Sequence, residues 1–387
     1  MKTQISILII ILTVFETKAQ QIVIPDQYFE KALVKRGIDD KVDGFLEPNK
    51  AKAIDTLDLN MMMITDLTGI EAFTDLEVLN CTQNYIKKLD LSKNTKLKVL
   101  FCGNYLDYMY EGDEFNQELG NQLSELDLSN NPELEYINVD YNVLQKISLS
   151  NLKDLKELSC VNNRLTSLDI QNNTKLISLS VSSNKLSALN TDTNNKLKKL
   201  YASDNELKEL NFQNNLDINT IDVESNQLSA IDIKKNEQLK SLDLSHNELK
   251  EVDVSNNVLL EYLYCSNNQL QKINVQYNFV LWGFHCDFNR LTSFTLNNSS
   301  VSDFNCSNNQ LITLDVSQAD NLGSFNCSNN QLQELIIGDQ EIINIDCSNN
   351  SLVSLDVEHM SFFNELKCDG NLFDCEALRA KFEINEE

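Results

Sequence analysis

From residue 54 onward the chain repeats one pattern of apolar and polar positions, L-x-x-L-x-C-x-x-N-x-L-x-x-L-D-x-x-x-N-x-x, about once every 21 residues. Its sixth position falls at Leu59, Cys81, Cys102, Val139, Cys160, Val181, Ala202, Val223, Leu244, Cys265, Cys286, Cys306, Cys327, Cys347 and Cys368. The spacings are 22, 21 and 37, then 21 seven times, then 20, 21, 20 and 21, so fifteen units cover residues 54–372. The gap of 37 is one unit plus 16 extra residues. The residue at the sixth position and the leucine two before it share one face of an extended segment, which predicts one short strand per unit. Parallel stacking of such strands about 4.8 Å apart gives a sheet on the order of 65–70 Å long. The return halves, such as "LKELNFQNN" at 207–215 and "LSAIDIKKN" at 228–236, are too short and too β-branched or turn-rich for a regular helix. They predict extended or turn structure.

This pattern resembles the leucine-rich repeat, and its return halves are similar to those of secreted bacterial, internalin-like members of that family. The resemblance implies a β-rich solenoid, a curved parallel sheet of about 15 repeats with an extended or turn convex side. It also implies a role in interaction. An apolar solenoid end needs a lid, and helical caps are expected at both ends. At the start, "IPDQYFEKALVKRG" offers Asp26 as N-cap, apolar Phe29, Leu33 and Val34, and Gly37 as a stop. At the far end, "NLFDCEALRAKFEINEE" offers a second helix. The expected organisation is a signal peptide at 1–19, an N-terminal cap at 20–53, the solenoid at 54–372 with an insertion within 105–122, and a C-terminal cap at 373–387.

"CSNNQL" stands at 265–270, 306–311 and 327–332, and "CSNNSL" at 347–352. A metal array, a disulfide ladder and a plain core would each produce a periodic cysteine. Valine, alanine or leucine fills the same slot in other units, which a metal ligand does not permit. The ladder cysteines therefore read as small core residues. Asparagine follows three residues later in thirteen units, from Asn84 to Asn371. An inward amide there satisfies backbone groups in its own unit and the next. Cys375 lies outside the ladder, and Cys368 with Cys375 is a candidate disulfide whose pairing the sequence does not prove.

The first twenty residues have Lys2, an apolar run around Ile5–Val14, and small residues Thr17 and Ala19 near a cleavage point. The run is short for a membrane span, and no second long apolar run or recognised anchor follows. The expected location is secreted or periplasmic, where disulfides are permitted. Counting 32 Lys+Arg against 58 Asp+Glu gives a net charge of −26. That charge repels nucleic acid and anionic membranes and suits a neutral or basic partner.

Chemistry is sparse. "DDKVDGFLEPNK" at 39–50 has the acidic residues and Gly44 of a calcium loop, but Lys41 and Lys50 stand where oxygen ligands belong. The alternative is an acidic loop of the N-terminal cap. Three histidines and no phosphate loop or zinc spacing argue against an enzyme, and no cofactor is expected. Binding is then the expected use of the sheet. Its outward positions gather aromatic residues twice, at Phe101 and Tyr136 and at Tyr262, Tyr264 and His285, with Asp243, Asp303 and Tyr201 on nearby strands and Phe288 just beyond. Gly283 suggests an open notch beside Tyr262. The insertion carries Tyr105, Tyr108, Tyr110 and Phe115, and reads either as a loop extending the binding face or as a tolerated insertion. The expected partner is a protein or glycan on the concave face. The alternative is a structural or self-associating cell-surface component, and the oligomeric state is left open.

Overall fold

The computed structural model describes residues 21–105, 110–111, 114–115, 120–361 and 363–382. The expected signal peptide at 1–19, Tyr108 of the insertion and residues 383–387 lie outside these.

Each repeat opens on three residues that point outward, inward and outward, as in Tyr262–Tyr264, where Leu263 is buried and both tyrosines reach the surface. Fifteen such strands, from Thr56–Asp58 to Glu365–Lys367, form one parallel sheet in chain order. Equivalent positions pair throughout. Asp243 lies beside Tyr264 and Tyr264 beside His285. The long unit does not disturb this register, since Leu100 still pairs with Ile137. Apart from a 3-10 turn at Ile70–Ala72, the return side among the described residues holds turns and short extended pieces, including the parallel trio Phe294–Thr295, Thr313–Asp315 and Glu334–Ile336.

The inward asparagine joins the coils. Asn309 donates through Nδ2 to the carbonyls of Cys306 (3.0 Å) and Ser307 (3.1 Å) in its own coil and of Cys286 (3.1 Å) in the preceding one. Its Oδ1 accepts from the Leu291 N–H at 3.0 Å. The same geometry recurs at Asn163, Asn205, Asn268 and Asn350. The amide thus reaches back to the preceding coil, where the sequence suggested the next. The reason is directional. The side chain enters the core after its own strand has ended, beside the carbonyls that the preceding strand leaves unpaired.

The paired asparagines of "CSNN" have separate tasks. The residue before the ladder asparagine takes a left-handed backbone in every coil, with φ of 53° at Asn267 and 55° at Asn308, Asn329 and Asn349. Asparagine tolerates that region better than most residues, and glycine, at Gly370, does so in the last coil. A second buried ladder lies on the return side, where Asn278 Nδ2 donates to the carbonyls of Val254 (3.1 Å) and Asn257 (2.8 Å).

The cysteine slots are filled as core. Eight thiols are free and buried, five of them in consecutive coils from Cys265 to Cys347. Burial pushes the Cys347 thiol up to about 12, and those of Cys160, Cys265 and Cys306 higher still. They are poor nucleophiles and poor ligands.

Two helices flank the solenoid. Helix α1, Gln27–Lys35, is capped by Asp26, which accepts from the Tyr28 and Phe29 N–H groups. The other Asp26 oxygen accepts from the Thr65 N–H and hydroxyl of the first coil, and Phe29 lies 6.5 Å from Phe73. Downstream of α1, Lys50 bonds Asp39 (3.2 Å) and Asp40 (2.5 Å), while Glu30 accepts from the Asp43, Gly44 and Phe45 N–H groups. The lysine thus pairs with two carboxylates that a calcium loop would turn toward an ion. Helix α2, Cys375–Lys381, brings Arg379 Nε to the Leu366 carbonyl (3.0 Å), which covers the last strand. Cys368 and Cys375 are disulfide-bonded with Cα atoms 5.6 Å apart.

The long unit departs from its coil and returns to it at defined residues. After Cys102 and Gly103, Gly120 supplies the positive φ (98°) and Asn121 the ladder amide, donating to the Cys81 (2.9 Å) and Cys102 (3.3 Å) carbonyls. Asn104 clamps the neck, accepting from the Asn121 N–H at 2.7 Å and donating to the Asn121 carbonyl at 3.0 Å. Within the insertion, Tyr110–Glu111 and Glu114–Phe115 form an antiparallel pair. Deleting residues 104–119 restores a 21-residue unit and is expected to leave a single cooperative urea transition. Deleting 107–121, which removes Gly120 and Asn121, is expected to lower stability by at least about 2 kcal/mol, because the buried Ile86 N–H loses its acceptor and the Cys81 and Cys102 carbonyls each lose one of two donors. Equal transitions for the two variants would contradict this role of Asn121.

Candidate functional site

Parallel, in-register strands turn the outward side chains into rows. One row runs Tyr201, Asp222, Asp243, Tyr264, His285 and Asn305, and its neighbour runs Lys199, Thr220, Ser241, Tyr262, Gly283 and Asp303. Tyr262 and Tyr264 lie two residues apart on one strand, with ring centroids 6.4 Å apart. The Tyr264 ring lies 5.1 Å from His285, and His285 Nε2 is 3.0 Å from the Asp303 carboxylate. Trp282 packs edge-on against Tyr262 at 5.7 Å. Trp282, Tyr262, Tyr264, His285 and Asp303 therefore form one continuous series of contacts.

The open notch expected at Gly283 is filled. A Cβ on Gly283 would lie 3.2 Å from Tyr262 Cδ1 and 3.4 Å from the Tyr264 hydroxyl, and the glycine is buried. Its missing side chain lets the two tyrosine rings lie across the next strand. Behind them the inward residue changes from leucine to phenylalanine. Phe284 stacks on Phe304 at 5.4 Å, with Phe294 from the return side 5.7 Å and 5.5 Å away. The aromatic face is thus backed by an aromatic core.

Beside Tyr264, the carboxylates of Asp222, Glu224 and Asp243 lie within 4.8 Å of one another, the one group of at least three potential metal ligands among the described residues. Burial pushes the Asp222 carboxyl up to about 6; Asp243, Glu224 and Asp204 add repulsion, opposed by a hydrogen bond from the Glu224 N–H. The Tyr264 hydroxyl is also raised, first by burial and then by Asp303, Tyr262 and Asp243. The face is electronegative as well as aromatic. It lacks an activated nucleophile at its histidine, because Cys286 is buried on the other side of the strand.

The other expected site residues are more dispersed. Phe101 is exposed, Tyr136 is half-buried, and the two occupy different rows on adjacent strands. Tyr136 carries Lys156 Nζ 5.7 Å from its ring centroid. Tyr201 ends the row beside Asp222. Trp282 was missed because it precedes its strand and so falls outside a two-residue alternation. The available signal was a lone tryptophan at a position where half of the other coils carry lysine or glutamate.

No family model and no curated protein matches the chain. Among solved structures, it is similar to the functional domain of InlJ from Listeria monocytogenes, described as including a cysteine ladder. The two are 30% identical with a TM-score of 0.62, over 82% of this chain and 78% of that one. The chain belongs to the internalin-like leucine-rich-repeat family. Two further solved structures share the fold. The Leptospira interrogans repeat protein LIC12759 is 21% identical, with a TM-score of 0.69 over 88% of this chain and 96% of that one. YopM from Yersinia enterocolitica is 22% identical, with a TM-score of 0.62 over 82% and 70%.

The carboxylate cluster of this internalin-like chain makes a pH prediction. The folded Asp222 carboxyl holds its proton to about pH 6, against 3.8 for an ordinary aspartate. Its ionisation penalty is therefore absent at low pH, grows as pH rises through this interval, and is complete above it. Asp222→Asn retains the acceptor for the Glu224 N–H and is expected to stabilise the protein at pH 7.5 by on the order of 1 kcal/mol after solvent screening. At pH 4 the gain is expected to vanish in thermal melts. A stabilisation of equal size at both pH values would rule out the ionisation of buried Asp222 as its cause.

Proposed function

We propose that this chain is a secreted, non-enzymatic binding protein that recognises a protein or glycan through the concave face of its sheet. The observation that carries the reading is the connected aromatic and acidic surface formed by Tyr262, Tyr264, His285, Asp243 and Asp303. Exposed aromatic side chains beside carboxylates are the composition of recognition surfaces, and repeat solenoids use extended faces of this kind for binding. Phe101, Tyr136 and Tyr201 form a second, more open part of the face. In this reading residues 1–19 are a cleaved leader, and 20–53 and 373–387 cap the solenoid. The bonded Cys368 and Cys375 suit an oxidising compartment. Among the described residues no helix is long and apolar enough to cross a membrane.

A screen of residues 20–387 against arrayed proteins and glycans tests the reading. A captured partner is expected to bind Tyr262→Ala/Tyr264→Ala at least tens of times more weakly, since truncating an aromatic hot spot costs about 2 kcal/mol or more. The thermal melt of the variant is expected to stay within a few degrees of the parent. Unchanged affinity in the folded variant would move the site to Phe101 and Tyr136.

A further inference from the structure

Along the edge where each coil turns up into its strand, charge passes from coil to coil. In the position immediately before the strand, Lys98 pairs with Glu77, Lys156 with Glu135 and Lys240 with Glu261. Two residues earlier, Lys96 pairs with Asp75 and Lys175 with Asp154. At the Tyr262 strand Glu261 keeps its partner Lys240 but the position two residues earlier is apolar, and at the Gly283 strand both positions are apolar. Trp282 takes the position of the paired lysine or glutamate, and Val280 and Leu259 take the positions of the paired lysine or aspartate. Phe279 is 65% and Trp282 49% exposed, and Val280, Val258 and Leu259 are exposed beside them.

The fold does not require these residues. The core of the same coils is filled by Leu260 and Leu281, both fully buried, and the equivalent turn before the Lys199 strand, three coils before the Tyr262 strand, is built with Lys196 and Lys198. The two turns are in contact, since Asn278 Nδ2 donates to the Asn257 carbonyl at 2.8 Å. Val258 and Leu259 thus lie one coil from Phe279 and Val280, about 4.8 Å away along the solenoid. A connected apolar patch among paired charges is the mark of an interaction surface.

We propose that Trp282, Phe279, Val280, Leu259 and Val258 form a docking surface for a protein whose own contact patch is apolar with a rim of lysine or arginine. The patch goes beyond the sheet-face reading and joins that face through the Trp282 and Tyr262 contact. Charge selects the occupant. Asp303 stands beside Trp282, to whose carbonyl its N–H donates at 3.2 Å, the hollow beside Val258 and Leu259 is lined by Glu237, and the net charge is −26. A basic rim meets complementary potential there, whereas a second copy of the chain brings the same acidic border against itself.

The test is selection of a random dodecapeptide library on immobilised residues 20–387, counter-selected on Phe279→Ser/Trp282→Ser. Selected peptides are resynthesised and titrated by fluorescence anisotropy. Enriched peptides are expected to combine aromatic or leucine residues with lysine or arginine. They are expected to bind the double variant at least tenfold more weakly, and to weaken as NaCl rises from about 50 to about 500 mM. Val258→Ser/Leu259→Ser is an independent check and is expected to weaken binding in the same direction. Thermal melts establish that each variant folds. Peptides without basic bias, or a selection that enriches nothing over the counter-selected variant, would overturn the proposal. So would sedimentation showing a dimer that Phe279→Ser/Trp282→Ser dissolves, since the occupant is then a second copy. Binding lost in Tyr262→Ala/Tyr264→Ala but intact in Phe279→Ser/Trp282→Ser would overturn the edge surface and leave the sheet-face reading standing.

Discussion

The solenoid depends on one interaction, the inward asparagine amide that hydrogen-bonds two successive coils. A three-residue strand satisfies few backbone groups, and the chain must then bend into the core, where unpaired carbonyls are costly. Asn309 meets that need with three donated bonds and one accepted bond, half within its coil and half to the coil before. The residue before it takes a left-handed backbone as the amide turns inward, which is why asparagine or glycine so often stands there. Cysteine suits the slot three residues before the amide because it is small and apolar. A closed coil of this kind leaves the outward residues of the strand without a structural task.

That separation between inward and outward positions decides what was legible in the sequence. The slots from Leu59 to Cys368 and the extended return side were readable because spacing and alternation determine which way a side chain points. Asn121 was not readable, since sixteen extra residues separate it from its own strand and contacts invisible in the sequence, the Asn104 clamp among them, bring it back. The direction of the ladder bonds was also hidden, because an amide between two coils looks the same in sequence from either side. Gly283 shows the limit at the site. Its missing side chain was visible, but whether a neighbouring ring fills the gap depends on tyrosine rotamers, and Tyr262 and Tyr264 do fill it.

The outward face is uneven in a way that the repeat does not demand. Near the insertion, Phe101 and Tyr136 lie on separate rows, and Tyr136 is partly occupied by Lys156. At the Tyr262 strand, the glycine beside it, the phenylalanine core behind it and Trp282 at its edge combine to hold aromatic rings in mutual contact. The carboxylates of Asp222, Glu224 and Asp243 gather next to these rings despite their repulsion. Stability alone would select against such a cluster, so its place beside the aromatic row fits a face shaped for binding.

The central claim, that inward amides and not cysteines hold the coils together, is tested most directly by urea melts of two single variants in one coil. Cys306→Val keeps an apolar side chain of the kind found at Val181 and Val223, and is expected to stay within about 1 kcal/mol of the parent. Asn309→Ala leaves the buried Leu291 N–H without its acceptor and takes one of two donors from each of the Cys286 and Cys306 carbonyls, and is expected to lose at least about 2 kcal/mol. A valine variant less stable than the alanine variant would contradict the account.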